Sequence, residues 1–142
     1  MACTASWLAM NYTVSFVAGD SNNNGTGTVA TGSTAALTGT YGETVTLPSS
    51  TFTAPDGYHF DKWSCNNSVG NKTAGATFVM STANITCTAQ WVANTLDLTW
   101  YKEDGTTVVS NTPDCTYGQT FTGLPTPPEK PGYHFKKWNV KQ

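Results

Sequence analysis

Arginine is missing from this chain: its seven basic residues are all lysines. The forked guanidinium donors that grip phosphate, sulfate and carboxylate groups are therefore unavailable. With a net charge of -2 and no basic stripe, the sequence gives nucleic acid nothing to bind, and no nucleic-acid partner is expected. Long apolar runs are absent too. Nothing approaches the roughly 18 residues needed to span a bilayer, so no membrane-spanning segment is expected. The N-terminus lacks a charged region followed by an apolar stretch. Export or anchoring signals are accordingly expected in a longer parent. Cysteine is sparse, at positions 3, 65, 87 and 115. None of the four shows C-x-x-C spacing, and His59 and His134 do not stand at zinc-ligand intervals from them, so neither a metal nor any other cofactor is expected. Charged residues make up only 11% of the chain. What replaces them is Thr, Ser, Asn and Gly, a composition suited to solvated strands and turns and to an extracellular β protein.

The strongest signal is internal repetition. Placing Tyr12-Thr-Val-Ser-Phe16 over Leu96-Asp-Leu-Thr-Trp100 gives an offset of 84 positions, 96 less 12, with apolar residues alternating in both. Tyr41-Gly42 then matches Tyr117-Gly118, and Leu47-Pro48 matches Leu124-Pro125. Gly57-Tyr-His-Phe60 with Trp63 matches Gly132-Tyr-His-Phe135 with Trp138. Cys3-Thr-Ala-Ser-Trp7 sits the same 84 positions before Cys87-Thr-Ala-Gln-Trp91. The expected organisation is the last strand of a preceding repeat at 1–9, a complete repeat module at 10–93, and at 94–142 an incomplete second repeat lacking its closing strand. The connection Ala93-Asn94-Thr95 is too short for free domain motion, which favours a stiff rod.

Within the complete repeat, period-two alternation predicts strands at 12–18, within 40–47, at 58–65 and at 85–92. Tyr12, Val14 and Phe16 share one face. Val45 with Leu47, Tyr58 with Phe60, and Ile85 with Ala89 and Trp91 supply the facing residues of one small core. Phe60 and Trp63 are three apart, so both point inward only if the strand bulges near Asp61 and Lys62. Residues 47–55 contain two prolines and must cross between strands, with room for one helical turn.

The ordered set Tyr41-Gly-Glu-Thr-Val-Thr-Leu-Pro48, Gly57-Tyr-His-Phe-Asp-Lys-Trp63 and Phe78-Val-Met-Ser-Thr-Ala-Asn-Ile-Thr-Cys-Thr-Ala-Gln-Trp91 resembles the Listeria-Bacteroides repeat. This is the B-repeat of internalin B and other bacterial surface proteins, and the resemblance covers essentially the whole chain. It implies a mainly β, small α+β fold of tandem β-grasp, ubiquitin-like modules. It also implies an extracellular location, secreted or on the bacterial cell surface, and no catalytic activity. The repeat core motif is Tyr58, Phe60, Trp63 and Trp91 in one copy and Tyr133, Phe135 and Trp138 in the next.

Cys65 lies two residues after Trp63 and Cys87 four before Trp91, so the ends of neighbouring strands can bring their sulfurs together as a disulfide. Closing a loop of about 20 residues stabilises by about 3 kcal/mol in the chain-entropy account. Cys3 is the counterpart of Cys87, but Val140 stands where Cys65 would. Cys115 replaces Gly39. These two cysteines have no inherited partners, leaving a second disulfide between them, a bridge to another chain, or free thiols.

Other chemistry-bearing residues read as ordinary surface. His59 and His134 hold the same place in two copies, and a site of unlike partners would not duplicate one member this way. Asp56 and Asp61 imitate a glycosidase pair, but their counterparts are Pro131 and Lys136. Asp20-Ser-Asn-Asn-Asn-Gly25 imitates the start of a calcium loop, yet position twelve is Thr31 and not a bidentate Glu. Its counterpart, Lys102-Glu-Asp-Gly-Thr106, reads as a tight hairpin. The expected function is a spacer or adhesion stalk unit. The alternative is a module that binds a host protein or glycan through exposed aromatics such as Trp7, Trp100, Tyr101 or Trp138. Neighbouring repeats, or self-association by strand addition through residues 2–8, are the other expected partners.

Overall fold

A computed structural model describes residues 1–140; Lys141 and Gln142, which close the expected second repeat, lie outside the described residues. The chain divides into two compact units, Met1–Asn94 and Thr95–Gln142. The first holds seven strands: β1 (Asn11–Val17), β2 (Leu37–Thr40), β3 (Thr44–Thr46), β4 (Tyr58–Cys65), β5 (Gly70–Lys72), β6 (Thr77–Val79) and β7 (Ile85–Ala93).

The period-two pattern is clearest in β7, where Ile85, Cys87, Ala89 and Trp91 are buried and alternate with more exposed residues. That strand forms the centre of a five-stranded sheet ordered β2-β1-β7-β4-β5. It runs parallel to β1, pairing Val14 with Ile85 and Phe16 with Cys87. On its other side it runs antiparallel to β4, pairing Trp63 with Ala89 and Cys65 with Cys87. A register shift falls between Phe60 and Lys62, and it brings Phe60 and Trp63 onto one face despite their odd spacing. The core gathers Val14, Val45, Leu47, Trp63, Phe78, Met80 and the inward residues of β7, with Tyr12, Phe16, Tyr58 and Phe60 packed against it.

One expectation from the sequence is extended and another changes. The strand expected within 40–47 is the short β3, and a further strand that the sequence did not signal, β2, ends just before it in a different sheet. At the break, Gly42 takes φ +81°, a conformation costly for any residue with a Cβ, while Glu43 N–H donates to the Thr40 carbonyl. β3 then leaves to pair with β6 in a separate two-stranded sheet. The α component of the expected small α+β fold is also absent: among the described residues there is no helix, and the structure is mainly β. Residues 47–55 make no helical turn. Pro48 and Pro55 carry no N–H to donate, and the β-favouring Thr53 instead exchanges both backbone hydrogen bonds with Thr31.

In the second unit, β8 (Thr95–Tyr101) and β9 (Val108–Thr116) form an antiparallel pair. Thr95 opposes Thr116 and Leu96 opposes Cys115. The same register joins Asn11 to Thr40 and Tyr12 to Gly39 in the first unit. Residues 133–140, the counterpart of β4, are not a strand.

Candidate functional site

Trp63 is the hub of the first unit. Its ring is fully buried, with centroid distances of 4.6 Å to Phe16, 4.9 Å to Phe60 and 6.3 Å to Phe52. Phe60 meets Trp91 edge-on at 5.9 Å. Each buried indole also carries an N–H that needs an acceptor. Trp63 Nε1 donates to the Pro48 carbonyl and Trp91 Nε1 to the Ala18 carbonyl, both at 2.8 Å. Tyr58 packs half-buried beside them. The motif residues Tyr58, Phe60, Trp63 and Trp91 thus meet in one core. Cys65 and Cys87 are joined by a disulfide across the β4–β7 pair next to it. Cys3 and Cys115 are not bonded to each other: both are free thiols, Cys3 exposed and Cys115 half-buried.

The second unit assembles only part of this cluster. Trp138 lies 5.2 Å from Phe135 and 5.2 Å from Trp100, which in turn lies 5.8 Å from Phe121. Tyr133 stands apart, exposed, with Lys130 Nζ 4.6 Å from its ring centroid. Between β8 and residues 133–139 lies an open cavity of about 1040 Å³, lined by Trp100, Tyr101, Lys130, Tyr133, Phe135 and Trp138 among others.

The polar candidates have structural employment. His59 Nδ1 lies 2.6 Å from Asn94 Oδ1, a hydrogen bond, while the Asn94 backbone N–H donates to the Gly57 carbonyl at 2.8 Å. His134 lines the cavity of the second unit. Asp61 pairs with its neighbour Lys62 at 2.9 Å on the surface, and Asp56 is exposed. The buried Asp20 carboxylate accepts backbone N–H groups from Asn22, Gly25 and Gly27 at 2.9, 2.7 and 2.9 Å. Such a ring of donors suits an anion and turns its oxygens away from a cation. Burial works to raise the Asp20 pKa, but the N–H groups of Gly25, Asn22, Gly27 and Asn24 together outweigh it and hold the carboxyl below its usual range.

Asp104, at the repeat offset from Asp20, has the same task. It accepts the N–H groups of Thr106 and Thr107 at 2.8 Å each and the Thr107 hydroxyl. These contacts, the hydroxyl foremost, put its pKa well below the ordinary carboxylate value. The sequence reading paired these two segments but missed the role their aspartates share, which the offset of 84 between Asp20 and Asp104 could have signalled. Asn23 was missed as well. Its side-chain amide bonds both the N–H and the carbonyl of Trp91 at 2.8 Å, extending the β1 side of β7 beyond the end of β1. No periodicity signals such a contact, because it joins residues 68 apart.

Comparison with known proteins rests on these same two copies. The Listeria-Bacteroides repeat domain matches twice, over residues 12–90 and 99–142. The chain belongs to this family. The Listeria-Bacteroides repeats of this chain are also similar to part of a putative Gly-rich membrane protein from Evansella cellulosilytica, 33% identical over 138 residues. That alignment covers 94% of this chain and 15% of the relative, so the chain spans a small part of the longer protein's length. No solved structure matches significantly. Repeats of this family are typical of bacterial surface proteins, and no helix among the described residues is long and apolar enough to cross a membrane.

Proposed function

We propose that the chain is a non-catalytic spacer and adhesion-stalk segment of a bacterial cell-surface or secreted protein, built from tandem β-grasp-like modules. The observation that carries this reading is the junction. β7 ends at Ala93 and β8 begins at Thr95, and the single residue between them is held by two hydrogen bonds from the first unit, at Gly57 and His59. A spacer needs joints that do not bend freely, and a connection this short supports that reading. The family membership and the membrane-protein name of the relative support the location. Small-angle scattering provides the test. The unaltered chain gives a narrow distribution of maximum dimension, and inserting Gly-Ser-Gly-Ser after Asn94 broadens it. Equal breadth before and after insertion overturns the spacer.

A second reading, binding of a host protein or glycan, is favoured by the aromatic-lined cavity beside Tyr133. Saturable binding on a glycan or host-protein array, abolished by Tyr133→Ala, establishes that reading instead.

A further inference from the structure

We propose that Asp56 is a self-modification site, converting to isoaspartate through a cyclic imide with Gly57, and that Asp20 keeps the intrinsically more reactive Asn24-Gly25 pair silent. The inference is independent of the spacer reading.

Glycine follows an asparagine or aspartate three times in this chain, at Asn24-Gly25, Asp56-Gly57 and Asp104-Gly105. In such pairs the backbone nitrogen of the glycine reaches the preceding side chain most easily, because glycine has no Cβ to obstruct the approach. The nitrogen gives its proton to solvent and bonds to the side-chain Cγ. Ammonia leaves an asparagine, or water leaves an aspartic acid, as the imide closes. A water molecule then reopens the ring and can leave the backbone running through Cβ, with no oxidant or reductant involved. By chemistry alone Asn24 reacts first, since at neutral pH an amide is a better electrophile than a carboxylate.

The structure reverses that order. Gly25 N–H donates to Asp20 Oδ2 at 2.7 Å, and Asn24 Oδ1 accepts the Thr26 N–H at 3.0 Å and the Thr26 hydroxyl at 2.6 Å. Nucleophile and electrophile are both held. The carboxylate that holds the nucleophile is itself buried and fixed by the N–H groups of Asn22 and Gly27. At Asp104, the Gly105 N–H donates to the Lys102 carbonyl at 3.0 Å while the carboxylate is tied to Thr106 and Thr107. Asp56 has neither restraint. It is exposed, and among the described residues neither its carboxylate nor the Gly57 N–H makes a hydrogen bond.

The second copy shows that the turn itself does not need Asp56. Tyr58 N–H donates to the Pro55 carbonyl at 3.0 Å with Gly57 at φ +78°, and Tyr133 N–H donates to the Lys130 carbonyl at 3.0 Å with Gly132 at φ +80°. Both are type II turns, which favour proline just before the glycine, and Pro131 stands there in the second copy. Only the first copy can form the imide. A single hydrogen bond closes its turn, so opening that bond frees the Asp56-Gly57 peptide to rotate toward the side chain. The product carries one extra backbone carbon directly before β4, beside the Gly57 carbonyl that accepts the Asn94 N–H at 2.8 Å.

The full chain is aged at neutral pH in buffer and, in parallel, in denaturing urea, and isoaspartate is located by peptide mapping with electron-transfer fragmentation. In buffer, position 56 is expected to convert about ten-fold faster than Asn24, and in urea the order reverses because no local hydrogen bond remains. Asp56→Pro, which copies the second repeat, removes the signal at 56 and keeps the fold. Asp20→Ala, with folding checked by circular dichroism, is expected to speed Asn24 conversion about ten-fold. Should that variant unfold, the buffer and urea arms of the unaltered chain still decide. Conversion led by Asn24 in buffer, or an Asp56 that stays intact there, overturns the proposal. So does Asn24 converting as fast in buffer as in urea, which would make Asp20 a base and not a lock.

Discussion

Residues 58–65 and 133–140 carry nearly the same sequence, Tyr-His-Phe-Asp-Lys-Trp in one and Tyr-His-Phe-Lys-Lys-Trp in the other, yet only the first is a strand. The difference lies in the neighbour. β4 is hydrogen-bonded along its length to β7, and among the described residues 133–140 has no such partner. Aromatic contact survives the loss: Phe135 still meets Trp138 at 5.2 Å, close to the 4.9 Å between Phe60 and Trp63. Hydrophobic attraction is non-directional and draws the rings together in many backbone conformations. A strand is a shared object and needs the donors and acceptors of a second one. The loop aspartates teach the complementary lesson. Asp20 and Asp104 keep their local hydrogen bonds in both units, because those bonds reach only two to seven residues along the chain and need nothing from β7.

The sharpest way to break this comparison is to remove the hub of each cluster. Trp63→Ala is expected to destabilise the first unit by about 4 kcal/mol, the usual scale for deleting a fully buried large aromatic. Trp138→Ala, at a half-buried ring, is expected to cost the second unit about 1 kcal/mol. Urea unfolding followed by the remaining tryptophans measures both, and equal costs would show that the second cluster is packed as tightly as the first.

A smaller effect separates the units through their cysteines. Replacing Cys65 and Cys87 together by alanine is expected to cost about 3 kcal/mol, from a cross-link with a sequence separation of 22. Calorimetry should show the transition of the first unit falling while that of the second stays in place. Should both fall equally, the two units unfold as one, and the contrast between them has to be redrawn.

The smallest expected effect concerns the two aspartates and has a definite sign. Both folded pKa values are lowered from 3.8, so near that pH the unfolded chain binds more protons than the folded one. Their stabilisation is present above pH 3.8 and is lost as the pH falls through each folded value, later for Asp104 than for Asp20. Thermal melts from pH 6 downward should show the advantage of the native chain over Asp20→Asn narrowing below that pH. The advantage over Asp104→Asn should persist to lower pH. A gap that does not depend on pH would mean that the carboxylate charge plays no part.

Much of this was legible beforehand, for reasons that can be traced to particular residues. The alternation in 85–92 and 58–65 placed β7 and β4 to within a residue, because a strand with one buried face has to repeat every two positions. The three-residue interval between Phe60 and Trp63 required a bulge, and the register shift at Phe60 and Lys62 supplies it. Other features could not be read in this way. The short strands β5 and β6 carry too few residues to show a period. The separation of β2 from β3 depends on which partner each one meets, and the grip of Asn23 on Trp91 joins residues 68 apart.

By itself, the sequence determined the duplicated motif, the family, the mainly β character and the faces of the long strands. All of these follow from local periodicity and from the chain's comparison with itself. Only the tertiary structure decided that the α component is absent, that β7 is the centre of the sheet, and that Asp20 is a buried anion held by backbone N–H groups. It also decided that 133–140 is not a strand although 58–65 is. The physical reason is the same in each case: hydrogen bonds and packing between segments distant in sequence select among conformations that the local residues permit equally well.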